Sequence, residues 1–494
     1  MTAFFDPRFR EMQRNVSPAG TAKRVKIMLR GLLLRFARHR EANVAIMFAL
    51  MMVPTIYLLG MALDYTQAVR KQEQLDAAAD AAAIAAVRPA MLTQTNASVV
   101  QDTAAAVFAA KANIPGLVSV PVPTVTVADS GLQRKITISY NAQSINNFPS
   151  FLGAQAWALK GSAVAMASSA PNMNFYLLLD VSPSMAIAAT QTDINNLITA
   201  TASQPSGSKS CGFACHEVHP NSDNPPATVD NLSIARSNNI TLRIDLVSSA
   251  VKQLLVGPWS CPQTSVTGGV MQCMSALNNT TYKAAIYTFD YKLNTIQTLT
   301  TPTTAGTQIS NIQLLTVDHQ NCVILGSCNT DYGTDISGAL SGVNTIMPNP
   351  GTGTNQSGDT PQEVVFLVTD GVEDKLVTGS SNCDPAATYP LPAAGSKYRC
   401  QQPLNTAICD TIKNKGIRIA ILYTEYLQLT GQNWYDTKIA QFNNPSSSKG
   451  TIAQRLQSCA SPGLFADVQT GGDISTALTN LFLKVASSTA SLVQ

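Results

Sequence analysis

The chain has little charge and few histidines. Of its 494 residues only 13% are charged and four are histidine, whereas 45% are hydrophobic. A hydrophobic content this high excludes a mainly disordered chain. The sequence also contains no P-loop, no G-x-S-x-G and no H-E-x-x-H motif, which would mark nucleotide hydrolases, serine hydrolases and zinc proteases. We therefore predict that the protein is not an enzyme.

Cysteine is absent from the first 210 residues. All ten cysteines lie between Cys211 and Cys459. An even number confined to one part of the chain indicates disulfide bonds in an oxidising compartment. The part of the chain that contains them is therefore predicted to lie outside the cytoplasm.

Basic charge is concentrated at the N-terminus, directly before a long apolar run. Residues 1–40 contain ten Lys or Arg against two acidic residues, and Val44 to Leu63 form twenty residues without a charge. A helix of this length spans the roughly 30 Å hydrocarbon core of a bilayer. The positive-inside rule places the preceding basic tail, residues 1–43, in the cytoplasm. No nucleic-acid partner is predicted.

A cleaved signal peptide is the alternative interpretation of this apolar run. The run is long for a signal peptide, and Gly60-Met61-Ala62 is a poor cleavage site. The following residues continue in strong helix formers without a breaker. We therefore predict a retained anchor in the inner membrane, with the N-terminus cytoplasmic and the C-terminal domain periplasmic.

The anchor leads into an alanine-rich helical stretch and then into two alternating apolar and polar stretches around Asp129-Ser130-Gly131, which predict a β-hairpin. The segment from Asn43 to Ala86, NVAIMFALMMVPTIYLLGMALDYTQAVRKQEQLDAAADAAAIAA, resembles the N-terminal module of TadG-like proteins of the Tad pilus-assembly system. That resemblance implies a small pilin-like α+β module over residues 64–170. It also implies a role in pilus assembly or surface attachment.

Beyond residue 170 the pattern alternates between strand and helix, which indicates a mostly parallel sheet covered by helices. The predicted strands are 175–180, 282–290, 363–370 and 417–424. The predicted helices are 243–255, 336–347, 404–416 and 473–486. The fold class is thus α/β, and residues 171–494 form one domain with long insertions.

Three separated pieces of this domain carry oxygen ligands. Asp180, Ser182 and Ser184 follow one buried strand, Asp370 ends another, and Thr334 lies between them in sequence. Carboxylates and hydroxyls without thiolate or imidazole suit a hard ion such as Mg²⁺. Because the carboxyl ends of parallel strands meet at one edge of a sheet, these side chains are predicted to converge there.

The pattern D-x-S-x-S, then threonine, then T-D-G resembles the metal-ion-dependent adhesion site of von Willebrand factor A domains. The resemblance implies Mg²⁺ (or Mn²⁺) held by Asp180, Ser182, Ser184, Thr334 and Asp370, with one coordination position left for an acidic residue of a partner protein. A metal that only fixes loops, in a periplasmic scaffold, is the alternative. Glu373 and Asp374 are predicted to form a charged rim around this edge.

The region 185–242 is longer than the family pattern and contains cysteines, as do three further loop regions at 256–281, 319–333 and 375–403. Disulfides are predicted to support these long loops. The predicted pairs are Cys211–Cys215, Cys261–Cys273, Cys322–Cys328, Cys383–Cys400 and Cys409–Cys459. The run CGFACHEVH, with His216 and His219, leaves two alternatives to its disulfide. It could bind zinc, or it could attach haem in a periplasmic redox protein, although its spacing is one residue longer than C-x-x-C-H.

Overall fold

The computed structural model describes the chain from residue 42 onward, with gaps. The described residues are 42–148, 155–205, 208–212, 217–222, 226–262, 265–319, 333–379, 383, 388–390, 397–425, 435–443, 451–469, 471–486 and 490–492. The predicted basic tail therefore lies almost entirely outside the described residues.

The predicted anchor is part of a much longer helix, α1, Ala42–Ala86. Pro54 lies inside this helix without ending it, and the Thr55 hydroxyl donates to the Met51 carbonyl oxygen at 2.7 Å. Such local bonds satisfy backbone groups that a proline frees. By length and composition the part beginning at Val44 is able to cross a membrane, which supports the predicted anchor.

The chain divides into two compact units by its internal contacts. The first comprises residues 1–79, 107–124 and 139–162, and the second comprises 80–106, 125–138 and 163–494. In the first unit Leu75 and Phe108 are buried, and the ring centroids of Phe108 and Tyr140 are 5.6 Å apart. The Tyr140 hydroxyl donates to Asp76 Oδ1 at 2.6 Å, and burial raises the pKa of this tyrosine.

The predicted hairpin is present as β1, Thr124–Ser130, and β2, Gln133–Ile145. Gly131 has a φ of 58°, a left-handed conformation that glycine adopts without strain. With β3, Ala156–Ser168, and a C-terminal strand β13, Ala490–Leu492, these strands form a sheet in the order β1-β2-β3-β13. Two helices precede the sheet, α2, Pro89–Leu92, and α3, Ala97–Ala112.

A six-stranded sheet is the framework of the second unit, as the α/β prediction requires. Its order is β12-β11-β7-β4-β5-β6, and all neighbours are parallel except the antiparallel pair β5 and β6. The strands are β4, Met173–Asp180; β5, Tyr282–Phe289; β6, Leu293–Thr300; β7, Gln362–Thr369; β11, Arg418–Thr424; and β12, Phe465–Val468. The four predicted strands are confirmed to within two residues.

Strand β4 is the centre of this sheet and every one of its residues is buried. Phe175 and Leu177 pack into the core on one face, whereas Tyr176 and Leu178 pack into the core on the other. Successive strand residues point to opposite faces, and parallel sheets are usually covered on both. This explains why the β4 sequence is continuously apolar rather than alternating.

Helices cover both faces of the sheet. They are α4, Gln191–Ala200; α5, Asn231–Ser237; α6, Arg243–Leu255; α7, Val270–Asn278; α8, Pro302–Gly306; α9, Ile336–Ile346; α10, Ala407–Asn414; α11, Ile452–Cys459; and α12, Ile474–Ala486. The region 185–242 thus contains two helices, α4 and α5, that were not predicted, because their short apolar patterns are interrupted by polar residues. The predicted helix at 404–416 is shorter than expected.

The region after β7 forms a further sheet, of three strands, that was not predicted from the sequence. Its order is β8-β10-β9, with β8, Val372–Thr378; β9, Thr388–Pro390; and β10, Lys397–Pro403. Cys400 of β10 is bonded to Cys383. The charged residues of β8 hid its strand pattern, because a strand this short is recognised mainly by apolar alternation.

Three predicted disulfides are confirmed. Cys261–Cys273, Cys383–Cys400 and Cys409–Cys459 are bonded, with Cα–Cα distances of 5.4, 5.8 and 5.1 Å. The other two predicted pairs include Cys215, Cys322 and Cys328, which lie outside the described residues. The Cys409–Cys459 bond joins α10 to α11.

Candidate functional site

The predicted metal-site residues lie at one edge of the six-stranded sheet. Asp180 ends β4, Ser182 follows it, and Ser184 is in the short 3₁₀ turn Pro183–Ala186. Asp370 directly follows β7, which is the parallel neighbour of β4. At this point the chain order along the sheet reverses, because β5 lies on one side of β4 and β7 on the other. Ligands of open α/β sheets bind at such switch points.

Asp180 is fully buried and is held by hydrogen bonds from both strands. The Ser182 backbone N–H donates to its Oδ1 at 3.0 Å, and the Thr369 hydroxyl donates to its Oδ2 at 2.6 Å. The Thr369 hydroxyl in turn accepts the Gly371 N–H at 3.0 Å. This network fixes the carboxylate with respect to the T-D-G turn.

Asp370 is also fully buried, but one of its oxygens is unsatisfied. Its Oδ1 accepts the Val372 N–H at 3.4 Å, and the Ser184 hydroxyl is a further hydrogen-bond partner of the carboxylate. Its Oδ2 has no hydrogen-bond partner, and the nearest cation is Arg243 Nη1 at 3.9 Å. A buried carboxylate oxygen without a hydrogen bond is unusual and needs an explanation.

Thr334 is brought to the same edge from a different part of the chain. It lies two residues before the start of α9 and is 97% buried. Its backbone exchanges two hydrogen bonds with Asp374, at 2.9 and 2.8 Å. The neighbouring Gly333 lies against the turn, since an added Cβ would be 3.4 Å from Pro183 Cδ, an ordinary van der Waals distance. Thr334 therefore stands beside the loop that carries the two serines.

The two serine hydroxyls are close to each other, with Ser182 Oγ 3.0 Å from Ser184 Oγ. Ser182 is buried and Ser184 is partly exposed. The structure thus brings the two aspartates and the two serines together by direct contacts. It places Thr334 next to them through its neighbouring residue.

The electrostatics of the site are unfavourable for two unshielded carboxylates. Burial, together with the negative charge of Asp370, raises the pKa of Asp180 to about 7. Burial also raises the pKa of Asp370, although the Arg243 guanidinium and the Ser184 hydroxyl oppose the rise. Bringing a cation to this edge would lower both pKa values, because a nearby opposite charge favours the ionised form.

The residues present fit a hard divalent ion. The unsatisfied Asp370 oxygen, the adjacent Asp180 carboxylate and three hydroxyls provide oxygen donors without nitrogen or sulfur. Within the described part of the chain, no group of three or more His, Cys, Asp or Glu side chains is arranged to hold a metal. Any ion at this edge would therefore depend on hydroxyls as much as on carboxylates.

Two functional neighbours were missed by the sequence reasoning. Thr369, which orients Asp180, is the first residue of the T-D-G turn and could have been included on that ground. Arg243 is 96% buried, and its side chain also donates to the Glu425 carbonyl oxygen. No sequence signal marks it, because it lies 127 residues from Asp370 at the start of α6.

The predicted charged rim at Glu373 and Asp374 is wrong for Glu373, which is fully buried. The Ser337 backbone N–H donates to its Oε1 at 2.8 Å, and Lys375 Nζ is 3.0 Å from its Oε2. Asp374 pairs with Arg399 at 2.5 Å. Glu373 therefore holds the first turn of α9, and neither carboxylate is left as a rim.

The CGFACHEVH motif is described only in part. Cys215 and His216 lie outside the described residues. His219 Nδ1 is 2.6 Å from Asp318 Oδ1, and its side chain is 60% exposed. An exposed histidine already paired with an aspartate is an ordinary surface contact.

Comparisons with known proteins match the N-terminal segment to one family model and find several solved structures that are similar to part of the chain. Residues 42–107 match the Flp pilus-assembly TadE/G-like family model. No curated protein matches the chain in sequence. Among solved structures, the chain is similar to the pilus adhesin SpaC from Lactobacillus rhamnosus GG, with 12% identity and a TM-score of 0.31. That comparison covers 74% of this chain but only 34% of SpaC.

Two further solved structures are covered by the comparison over a larger share of their own length. The von Willebrand factor domain of the pilus tip protein Mfa5 from Porphyromonas gingivalis is 11% identical with a TM-score of 0.30, covering 64% of this chain and 96% of that one. The minor pilin PilB from Streptococcus sanguinis is 11% identical with a TM-score of 0.32, covering 74% and 77%. Scores this low carry no argument about function. The chain thus joins an α/β fold with a mostly parallel six-stranded sheet to an N-terminal segment, residues 42–107, that matches the Flp pilus-assembly TadE/G-like family model.

Proposed function

We propose that this protein is a membrane-anchored component of Tad (Flp) pilus assembly or surface attachment that binds a partner protein through a divalent metal ion. Asp180, Ser182, Ser184, Thr334 and Asp370 would hold Mg²⁺ (or Mn²⁺). The ion would supply positive charge to attract an Asp or Glu carboxylate of the partner. The protein would have no enzymatic activity.

The observation that carries the metal proposal is the pair of buried aspartates. Asp370 keeps an oxygen without a hydrogen bond, and Asp180 has a pKa raised towards 7. Two buried carboxylates in one place destabilise a fold unless a cation or a proton compensates them. Hydroxyl ligands add no negative charge, so the charge of the ion remains available for a partner carboxylate.

The proposed topology places the C-terminal domain in the periplasm and the N-terminus in the cytoplasm. It is supported by the basic residues before the apolar helix and by three disulfides in the second unit, which fit an oxidising compartment. An alkaline phosphatase fused after Gln494 should be active in cells, because that enzyme matures only in an oxidising compartment. An inactive fusion that is stably expressed would contradict the topology.

The partner is tested by cross-linking in cells that express the full chain, Asp180→Ala or Asp410→Ala. Asp410 is a matched control because its carboxylate is 65% exposed and pairs with Lys413 on the surface of α10. A cross-linked species that is present in the wild type and the control but lost in Asp180→Ala supports metal-dependent recognition. If all three chains give the same cross-links, the adhesion function is refuted.

The same variants separate recognition from a scaffold role. With a metal that only fixes loops, Asp180→Ala should reduce folding and cross-linking together. With a metal that serves recognition, export and folding should persist while the cross-link disappears. Absorbance near the haem Soret band in the purified chain would favour the redox alternative at CGFACH instead.

A further inference from the structure

Three aromatic side chains are exposed where the apolar part of α1 ends. Tyr65 is 58% exposed, Phe148 45% and Trp157 40%. The rings of Tyr65 and Trp157 are in edge contact, with centroids 5.8 Å apart. We call these three residues the aromatic collar. All three belong to the first compact unit, although they come from α1, the segment after β2 and the start of β3.

Phe148 reaches the helix because Gly60 leaves room for it. An added Cβ on Gly60 would lie only 2.8 Å from Phe148 Cβ and Cγ. Any larger side chain at this position would therefore displace the phenylalanine. From Val44 onward Gly60 is also the first buried residue of α1, since Val44 to Leu59 are all exposed.

Asp64 fixes the same segment one turn further along the helix. Its Oδ1 accepts the Asn147 N–H at 2.9 Å and its Oδ2 accepts the Phe148 N–H at 2.8 Å. The carboxylate is 98% buried as a result. The first charged residue after the apolar run is thus covered by protein, and the next exposed charge on the helix is at Arg70.

The length of the helix sets the depth of the collar. From Val44 to Leu59 the exposed stretch is sixteen residues, which is about 24 Å of helix. The hydrocarbon core is about 30 Å thick, so it must extend roughly four residues beyond Leu59, to Leu63. The additional length cannot come from the N-terminal end of the apolar run, because the charged residues Arg40 and Glu41 precede that run in the sequence.

Phe148 contacts the helix at Gly60, which is three residues before Leu63. At the rise of an α-helix this places Phe148 about 4–5 Å inside the outer edge of the hydrocarbon core. Tyr65 and Trp157 come at or just above that edge. Tyrosine and tryptophan are the residues that concentrate at the membrane–water interface, because one end of each ring is apolar and the other can form hydrogen bonds.

We propose that the aromatic collar is a lipid-binding surface, with Phe148 inserted at the acyl boundary and Tyr65 and Trp157 at the level of the lipid headgroups. The collar would fix the height and tilt of α1, so that the first unit stands on the membrane rather than on a free stalk. The proposal rests on the membrane anchoring in the proposed function. It does not depend on the metal site.

The depth of Trp157 can be measured directly. Replacing Trp259 and Trp434 by phenylalanine leaves Trp157 as the only tryptophan. This full-length chain is placed in vesicles of phosphatidylcholine brominated either near the ester linkage or near the acyl-chain ends, and quenching of its fluorescence is compared. The expected result is strong quenching by bromine near the ester linkage, weak quenching by bromine at the chain ends, and little quenching by soluble acrylamide.

A pair of variants tests the contact that holds the collar. Gly60→Leu should displace Phe148, so that Trp157 loses most of its quenching by brominated lipid and becomes accessible to acrylamide. Ala62→Leu introduces the same side chain at an exposed position of the same helix and should leave both values unchanged. Flotation of carbonate-washed membranes reports separately whether the chain is anchored.

The outcomes distinguish the two ideas. A chain that is released by carbonate contradicts the anchoring itself. A chain that stays in the membrane while Trp157 is quenched by acrylamide and not by brominated lipid overturns the collar and leaves the anchor intact. Strongest quenching from the acyl-chain ends also overturns it, because Trp157 would then lie too deep for the headgroup level.

Discussion

Replacing Asp180 with asparagine should stabilise the metal-free protein above neutral pH, although it removes a predicted metal ligand. The substitution keeps the size of the side chain and an oxygen that can accept the Ser182 N–H. It removes the charge that burial and Asp370 disfavour. The hydrogen bond with Thr369 can also persist, because the amide can donate to the hydroxyl oxygen.

The size and the sign of this change in stability follow from the pKa of Asp180, which rises from 3.8 in the unfolded chain to about 7 in the folded protein. A carboxyl whose folded pKa is raised contributes its stability fully below pH 4, and that stability is lost as the pH rises through about 7. At 1.36 kcal/mol for each pKa unit the loss approaches an upper limit of about 4 kcal/mol. Asp180→Asn lacks this loss, so its advantage over the wild type should be near zero at low pH and largest above pH 7.

The assay is urea unfolding of the full chain in detergent with a chelator, between pH 5 and pH 8, for wild type and Asp180→Asn. Adding Mg²⁺ should narrow the difference and cancel it at about a thousand times the dissociation constant. Only the wild type gains the stabilisation that comes from binding, which is about 2.7 kcal/mol at a hundred times the dissociation constant and about 4.1 kcal/mol at a thousand times. The reasoning is refuted if Asp180→Asn is less stable than the wild type in chelator at pH 8, or if the difference between them does not change with pH.

Two further predictions concern the surroundings of the site. Arg243→Met should destabilise the metal-free protein by about 3–5 kcal/mol, because it leaves Asp370 as a buried charge without its cation. It should also tighten Mg²⁺ binding, because a positive charge 3.9 Å from Asp370 is removed. Thermal melts measure the first effect and calorimetric titration the second, and an unchanged Mg²⁺ affinity would contradict the account. Replacing Cys409 and Cys459 by serine should lower the free energy of unfolding by about 4 kcal/mol, and the same change at Cys261 and Cys273 should lower it by about 3 kcal/mol, on the chain-entropy model. The first loss is larger because its disulfide closes the longer loop, with a sequence separation of 50 against 12. Equal losses, or a larger loss at Cys261 and Cys273, would show that lost packing outweighs loop closure.

The sequence predicted those parts of the fold whose pattern is local and strong. The β4 and β7 strands are continuous apolar runs, and each ends in an aspartate followed by turn residues, so their boundaries and their shared edge could be read without a structure. The long α1 helix is equally clear from its composition. Disulfides between neighbouring cysteines were predictable because short loops favour local pairing.

What the sequence could not show depends on distant contacts. Arg243 reaches Asp370 only because α6 packs against the sheet, and β13 pairs with β3 across more than 300 residues. The burial of Glu373 follows from the antiparallel pairing of β8 with β10. Both strands contain charged residues, which hide the alternation of apolar and polar positions. The position of Phe148 against Gly60 likewise depends on a contact between residues 88 apart in sequence.

The central claim is tested most directly by a calorimetric titration of MgCl₂ into the full chain in nanodiscs, with Asp370→Asn and Asp410→Asn beside the wild type. The account predicts one Mg²⁺ per chain for the wild type and for Asp410→Asn, and no binding for Asp370→Asn. Wild-type protein that takes up no divalent ion, or an Asp370→Asn variant that binds as the wild type does, would contradict it.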